Sequence, residues 1–470
     1  MPPLPNLSLK LPGLGLGSRK GPAVVGLDIQ PGFAVAVQAS VNGSIHAQRA
    51  ACLPLAADTV AAGEVMDQEA LSEVLRELFA ATRLSKRVRV GVANQRTVMR
   101  TLELPPVSDR KELAAAVRFQ AQDQVPMPLN NAVLDFHALG VVETPSGPRQ
   151  HVVLVAAQRD MVEHLLAAVR GAGLHPVGVD LSAFALIRSL YSREPESEEK
   201  AGRVVYLNVD GLTNLAIAEG TACRFTRVVG GGLEGMAIEL AERLGIPLVD
   251  ARARLLTVDL NVPPAVGHLE TGLGETAVGD LPPEWQLPGS DAAGPAVPGG
   301  AVQGGGHVEV GEMAQYGEGE GEGGSGELTE PEPHGTFSAE DHETLERSMS
   351  YAELSALDND PDAEELVEVS DLDGEADAYR VIESGVREIA GEVRNSLDFH
   401  RSQEGGGEVS HVVLSGTALD VQGFAEALQG HLGLEVRTHT VELDERGSDG
   451  AVSTHRLAIA AGLASEEVPQ

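Results

Sequence analysis

Only two cysteines, Cys52 and Cys223, occur in 470 residues. They stand far apart and without ligand spacing, which excludes a disulfide scaffold and a zinc site and fits a reducing compartment. Aromatic residues make up 3% of the chain, so its core must be built from Ala, Val and Leu. Basic residues are outnumbered, 34 Lys and Arg against 70 Asp and Glu, and no domain shows a basic stripe; nucleic acid is therefore not an expected partner. The 14 histidines form no HxH, HxxxH or HExxH pair, and no Ser-His-Asp grouping can be argued from spacing, so neither a metal site nor a catalytic residue is assigned. No stretch reaches the roughly 18 consecutive apolar residues that a membrane span requires. The opening MPPLPNLSLKLPGLGLGSRKG is broken by Pro and Gly and does not read as a signal peptide. The expected location is cytoplasmic.

The net charge of −36 is unevenly placed. Residues 261–378 hold 28 acidic residues and one basic residue, Arg347, and lose all periodicity in runs such as GEGEGEGGSGE. Such a segment cannot bury enough apolar surface to offset its ordering entropy, so it is expected to be a disordered acidic insert. Within it, Tyr351, Leu354 and Leu357 of SYAELSAL mark a candidate transient helix. Residues 1–22 read as a flexible arm and 466–470 as a tail.

The rest has α/β grammar. AVVGLDI and FAVAVQAS flank a Pro31-Gly32 turn, a hairpin signature. Leu71, Val74, Leu75, Leu78 and Phe79 repeat at helical spacing, RVRVGVAN and RTLELPP read as strands, and Ser108 with Glu112 precedes a helix carrying Leu113, Val117 and Ala121. HVVLVAAQ, a helix from Met161 to Val169, and VGVDLSAFALIRSL complete a first lobe at 23–200. The second lobe restarts the pattern at 201–260 with VVYLNV, LAIAEG and CRFTRVV. Gly230, Gly231 and Gly232 then open a helix. It resumes at 379–465 with a long helix, the strands HVVLSG and LEVRTHTV, and an Ala-rich final helix.

Two halves that each begin with a hairpin, the second adding a Gly-rich turn into a helix, suit phosphate cradling by backbone N–H groups. Taken singly, each feature is ordinary turn chemistry: Asp28 at a strand end and Asp210 in VDGLTN can simply cap their turns. Jointly, GLDIQPGFAVAVQ, RTLELPP, KELAAAVRFQAQDQVPM, LDFHALG, VVLVAAQRDMVEHLLAAVRGAGLHPVGVDLSAFALIRSL, FTRVVGGG, EVRNSLDFHRSQ, VVLSG and AIAAGLA closely resemble the PilM family of type IV pilus assembly proteins, relatives of FtsA. The resemblance covers roughly 23–260 and 379–465. It implies an actin-like, ribonuclease-H-like two-lobed fold, with a small subdomain inserted in the first lobe at about 88–178. It also implies a scaffold that binds the N-terminal peptide of a membrane-anchored, PilN-like partner at the inner face of the membrane, in an arrangement that allows an oligomeric ring.

The nucleotide-site positions implied by the resemblance are Asp28, Gly32, Asp210, Gly211, Gly230, Gly231, Gly232, Gly416 and Thr417. The chain departs from the family at these turns. Gln30 replaces the Gly of the first phosphate turn, Pro31, Gly32 and Phe33 replace its hydroxyl residues, and Val35 its Lys. Leu207 falls on the metal-associated Asp, Arg252 and Leu255 on the ribose-contacting Glu and Lys, and Ser415-Gly416-Thr417-Ala418 on the adenosine loop. These losses imply no cofactor, with Mg-ATP binding weak at best; the alternative is a working actin-like ATPase whose nucleotide state controls the partner.

Overall fold

A computed structural model describes residues 23–145, 147–192, 202–264, 361–403, 405–444 and 452–465, with the backbone alone for 361–373. The expected arm, tail and SYAELSAL cluster, and most of the expected insert, lie outside these residues.

The first lobe opens with β1 (Val25–Gln30) and β2 (Phe33–Asn42), paired through the Pro31-Gly32 turn. Gly32 has φ +92°, a conformation that favours glycine. The lobe continues with β3 (Ser44–Pro54), the short β4 (Val60–Ala61) and β5 (Glu64–Val65), α1 (Gln68–Ala80) and β6 (Arg87–Val92). After the inserted subdomain come α3 (Arg159–Gly171), β10 (His175–Leu181) and α4 (Ser182–Leu190). Its sheet has the order β10-β6-β1-β2-β3. The apolar stripe of α1, Leu71, Leu75, Leu78 and Phe79, is buried with Met161, Val162, Leu165, Leu166 and Val169 of α3.

The second lobe repeats the plan with β11 (Arg203–Val209), β12 (Thr213–Glu219), β13 (Ala222–Val229), α5 (Leu233–Leu244), α6 (Leu248–Leu255), α7 (Pro361–Ser402), β14 (Val409–Ser415), α8 (Phe424–Leu432), β15 (Val436–Thr438) and α9 (Ala458–Ala464). Its sheet order, β13-β12-β11-β14-β15, is that of the first lobe: a three-strand antiparallel meander continued by two parallel strands. Val381, Ile382, Val386, Ile389, Val393 and Leu397 of α7 are buried with Met236, Ala237 and Leu240 of α5.

The final helix, α9, does not sit at the periphery. It packs with α4 in a core shared by both sheets, which includes Val35, Val37, Phe184, Leu186, Tyr206, Ala216, Ile459 and Leu463. A Cβ on Gly26 would lie 1.8 Å from the Ala460 carbonyl, and one on Gly462 1.9 Å from the Ala185 carbonyl. Arg89 donates to the Leu463 and Ser465 carbonyls at 2.8 and 3.2 Å, a cation on the negative end of α9.

Three expectations need correction. The inserted subdomain is narrower than 88–178: β7 (Val98–Leu104), α2 (Arg110–Gln124), β8 (Ala132–Thr144) and β9 (Gly147–Gln158) form it around Leu102, Leu113, Val117 and Leu154, whereas β6, α3 and β10 belong to the main layers. Ser108 precedes α2 as expected, and the next residue, Asp109, caps it, accepting from the Lys111 and Glu112 amides at 2.8 and 3.0 Å. The insert ends earlier than residue 378, since α7 begins at Pro361 and Ala378 is fully buried. LEVRTHTV supplies only the short β15. Among the described residues no helix is long and apolar enough to cross a membrane.

Candidate functional site

The first turns of the two meanders meet between the lobes. A Cβ on Gly211 would stand 2.1 Å from the Pro31 carbonyl, so the two turns are in contact. Gly232 packs equally closely on the Asp210 and Gly211 carbonyls (2.5 and 2.6 Å from its missing Cβ), and the Leu233 amide donates to the Asp210 carbonyl at 2.8 Å. Gly416, at φ +103°, abuts Val209 in the same way.

Asp28 and Asp210 lie beneath these turns, each 1% exposed. Burial, and then the neighbouring Asp210 carboxylate, push the Asp28 carboxyl up to about 7, against the pull of hydrogen bonds from Gln30 and the Ile29 amide. Burial also raises Asp210, opposed by donors from Thr417 and Asn208. Both carboxylates spend their oxygens on protein. Gln30 Nε2 donates to both oxygens of Asp28 at 3.2 and 3.1 Å. Thr417 N and Oγ1 donate to Asp210 Oδ1 at 2.7 and 2.8 Å, and Asn208 Nδ2 donates to Oδ2 at 2.8 Å. The Gln30 side chain thus holds the first carboxylate with its amide.

Leu207 is fully buried in the second-lobe core, whereas Asp210 stands in the Asp210-Gly211-Leu212 turn, closed by Asp210 N donating to the Leu212 carbonyl at 3.0 Å.

Beside the joined turns lies a cavity of about 360 Å³, lined among others by Gly32, Phe33, Gly211, Glu234, Arg252, Leu255, Thr417 and Arg456. Arg252 Nε donates to Glu234 Oε2 at 2.8 Å, its Nη2 to Glu234 Oε1, and the same Nη2 to the Leu55 carbonyl of the first lobe at 3.3 Å. Glu234 fills the space over Gly32, where a Cβ would meet its Oε2 at 2.5 Å. Arg456 stacks over the Phe33 ring, 4.9 Å from its centroid. Its loop is tied down by Ser453 and His455, which bond Asp420 at 2.9 and 2.6 Å.

Gly230 and Gly231 are set apart from this group. They line a second, more polar cavity of about 610 Å³ with Asn94, Gln95, Thr97, Asn214 and Glu388. The structure therefore gathers Asp28, Gly32, Asp210, Gly211, Gly232, Gly416 and Thr417 at one point and leaves two glycines on the neighbouring cavity. Reasoning from sequence missed Glu234 and Arg456; the adjacency of Glu234 to the glycine triplet was the available signal, while Arg456 gave none. Among the described residues no group of three or more His, Cys, Asp and Glu is arranged to hold a metal ion.

Two hairpin-first sheets of the same strand order, facing each other across a cleft and sharing two central helices, define an actin-like fold, that of the actin-like ATPases. The chain belongs to the PilM family: residues 26–258 match the family described as type IV pilus assembly protein PilM. The solved PilM-PilN type IV pilus biogenesis complex has 20% identity to it, with 94% of this chain and 97% of that chain covered and a TM-score of 0.59. Weaker likenesses extend to the ethanolamine utilization protein EutJ from Carboxydothermus hydrogenoformans (12% identity, 95% and 90% covered, TM-score 0.42) and to MreB 5 of Spiroplasma citri bound to AMPPNP (8%, 94% and 95%, 0.40).

Proposed function

We propose that this type IV pilus assembly protein is a cytoplasmic scaffold, held at the inner face of the membrane by docking the N-terminal peptide of a PilN-like partner. The observation that carries this reading is an apolar groove of about 150 Å³ where three parts of the fold meet. His137, Leu139 and Val153 come from the inserted subdomain, Phe184, Ile187 and Arg188 from α4, Thr221 from the β12–β13 turn, and Ala222 and Cys223 from the start of β13. Leu139 is 38% exposed, an unusual setting for a leucine beside so much apolar lining. Such a groove suits alternate apolar side chains of an extended or helical peptide. Leu139→Asp is expected to weaken a fluorescently labelled partner peptide at least about tenfold, since a charge must be desolvated on binding. Unchanged anisotropy titrations would place the docking site elsewhere.

The cleft supports the scaffold over the ATPase. Contact between Pro31 and Gly211, the Gln30 tether on Asp28 and the Glu234–Arg252 pair over Gly32 occupy the space and donors that Mg-ATP uses. Affinity for Mg-ATP is expected to be no better than about millimolar, and peptide binding should be independent of nucleotide, because a ligand that scarcely binds shifts no equilibrium. Calorimetry yielding micromolar Mg-ATP, weakened by Asp210→Ala, restores the ATPase reading, which the buried Asp28 and Asp210 pair favours.

A further inference from the structure

The structure reveals a basic edge that the linear sequence conceals. Helices α1 and α3 both end, and strands β6 and β10 both begin, at the side of the first lobe that faces away from the cleft. Arg83 and Lys86 lie in the connection from α1 to β6, Arg87 opens β6, Arg170 stands in the last turn of α3, and His175 opens β10. Arg87 and His175 are register partners, and the His175 amide donates to the Lys86 carbonyl at 2.8 Å. Two more guanidinium groups are drawn in from other elements. Arg49 of β3 donates to the Arg83 carbonyl at 3.2 Å, and Arg76 of α1 donates to the Gly171 carbonyl at 3.2 Å.

All six Lys and Arg side chains are exposed. Among the described residues none of them forms an ion pair, although most exposed arginines of α7 and the second lobe do, and Glu73 and Glu77 on α1 engage none of them. The negative helix ends of α1 and α3 account for about one cation each. The surplus is unusual on a chain whose formal charge is −36.

We propose that this edge rests directly on a bilayer surface carrying anionic phospholipid headgroups. The long side chains hold like charges along one edge, which matches a planar array of phosphates. Among the described residues neither an exposed aromatic ring nor a recognition helix accompanies them; the exposed large apolar residue at this edge is Val177, at 40%. Binding of single-stranded nucleic acid draws on aromatic platforms, and duplex readout on an element that enters a groove. A lipid surface needs neither. The contact is independent of the PilN-like partner and would orient the cleft away from the membrane.

The test uses the full chain without any partner. Sedimentation with vesicles of phosphatidylglycerol and phosphatidylcholine in equal parts should show binding that vesicles of phosphatidylcholine alone lack, and that about 0.5 M NaCl abolishes. The triple variant Arg83→Gln, Lys86→Gln, Arg87→Gln should bind about 100-fold more weakly, with an unchanged melting temperature because the three side chains are exposed. Arg380→Gln, Arg387→Gln, Arg401→Gln, which removes the same charge from α7, should bind like the parent. No sedimentation with anionic vesicles, or equal losses in the two triple variants, overturns the proposal. Tighter binding to a DNA duplex than to vesicles also overturns it and assigns the edge to nucleic acid.

Discussion

Asp28→Asn is expected to raise the melting temperature at about pH 8 by on the order of 5 °C and to leave it nearly unchanged near pH 4. The Asp28 carboxyl sits at about 7 in the folded protein against an ordinary 3.8, so the folded state holds its proton more tightly than the unfolded state. Stability from this group is therefore fully present below about pH 4 and is lost as the pH rises towards 7, by roughly 1 kcal/mol per pH unit and on the order of 4 kcal/mol in all. Burial of Asp210 acts in the same direction. Asparagine removes the charge and keeps an oxygen for Gln30 Nε2. A melting curve for the variant that falls between pH 4 and 7 as steeply as the parent's would show that Asp28 is not the group responsible.

Gly462→Ala and Gly26→Ala should each destabilise the protein by about 3 kcal/mol or more, far above the common cost of one added methyl group. In both cases the new Cβ meets a backbone carbonyl at under 2 Å, so the relief must come from moving α9 and not from turning a side chain. Gly235→Ala and Gly430→Ala on α5 and α8 meet nothing within 4 Å and should be neutral or stabilising by about 0.5–1 kcal/mol. Denaturant melts of the four variants separate close packing from general glycine effects. A Gly462→Ala midpoint equal to the parent's would refute the tight seating of α9 between the lobes.

Hairpins and amphipathic helices were legible because their signals are local: the Pro31-Gly32 turn, the Leu71 to Phe79 stripe and the α7 face all stand in the structure where periodicity puts them. The family was legible for the same reason, from contiguous phrases. Boundaries set by tertiary packing were not. Nothing in RVRVGVAN says that β6 joins the main sheet while RTLELPP, separated from it by five residues, joins the subdomain. At the cleft, Gln30 could be read as a substitution, but its amide on Asp28 required both side chains in space. Nor does any local signal show that the Asp210 side chain, three residues beyond Leu207, is buried and accepts from the Thr417 amide. The basic edge was invisible for a related reason: its cations come from β3, α1, the α1–β6 connection, β6 and α3, and no window of sequence contains them together.

The central place of α9 bears on biosynthesis. Arg89 finds its carbonyl partner on Leu463 across 374 residues of chain, and β1 has its helical neighbour at Ala460. The first lobe can therefore assemble its sheet early on the ribosome, but it lacks one face until translation has passed Ala464. Val35, Val37, Leu186 and the rest of that shared core would meanwhile be open to chaperones or to a neighbouring nascent chain. Once α9 arrives, closing so wide a loop costs only logarithmically more than closing a shorter one. Lengthening the acidic stretch between the two parts of the second lobe is thus a small thermodynamic burden, and its main effect is to prolong the interval in which the unfinished lobe waits.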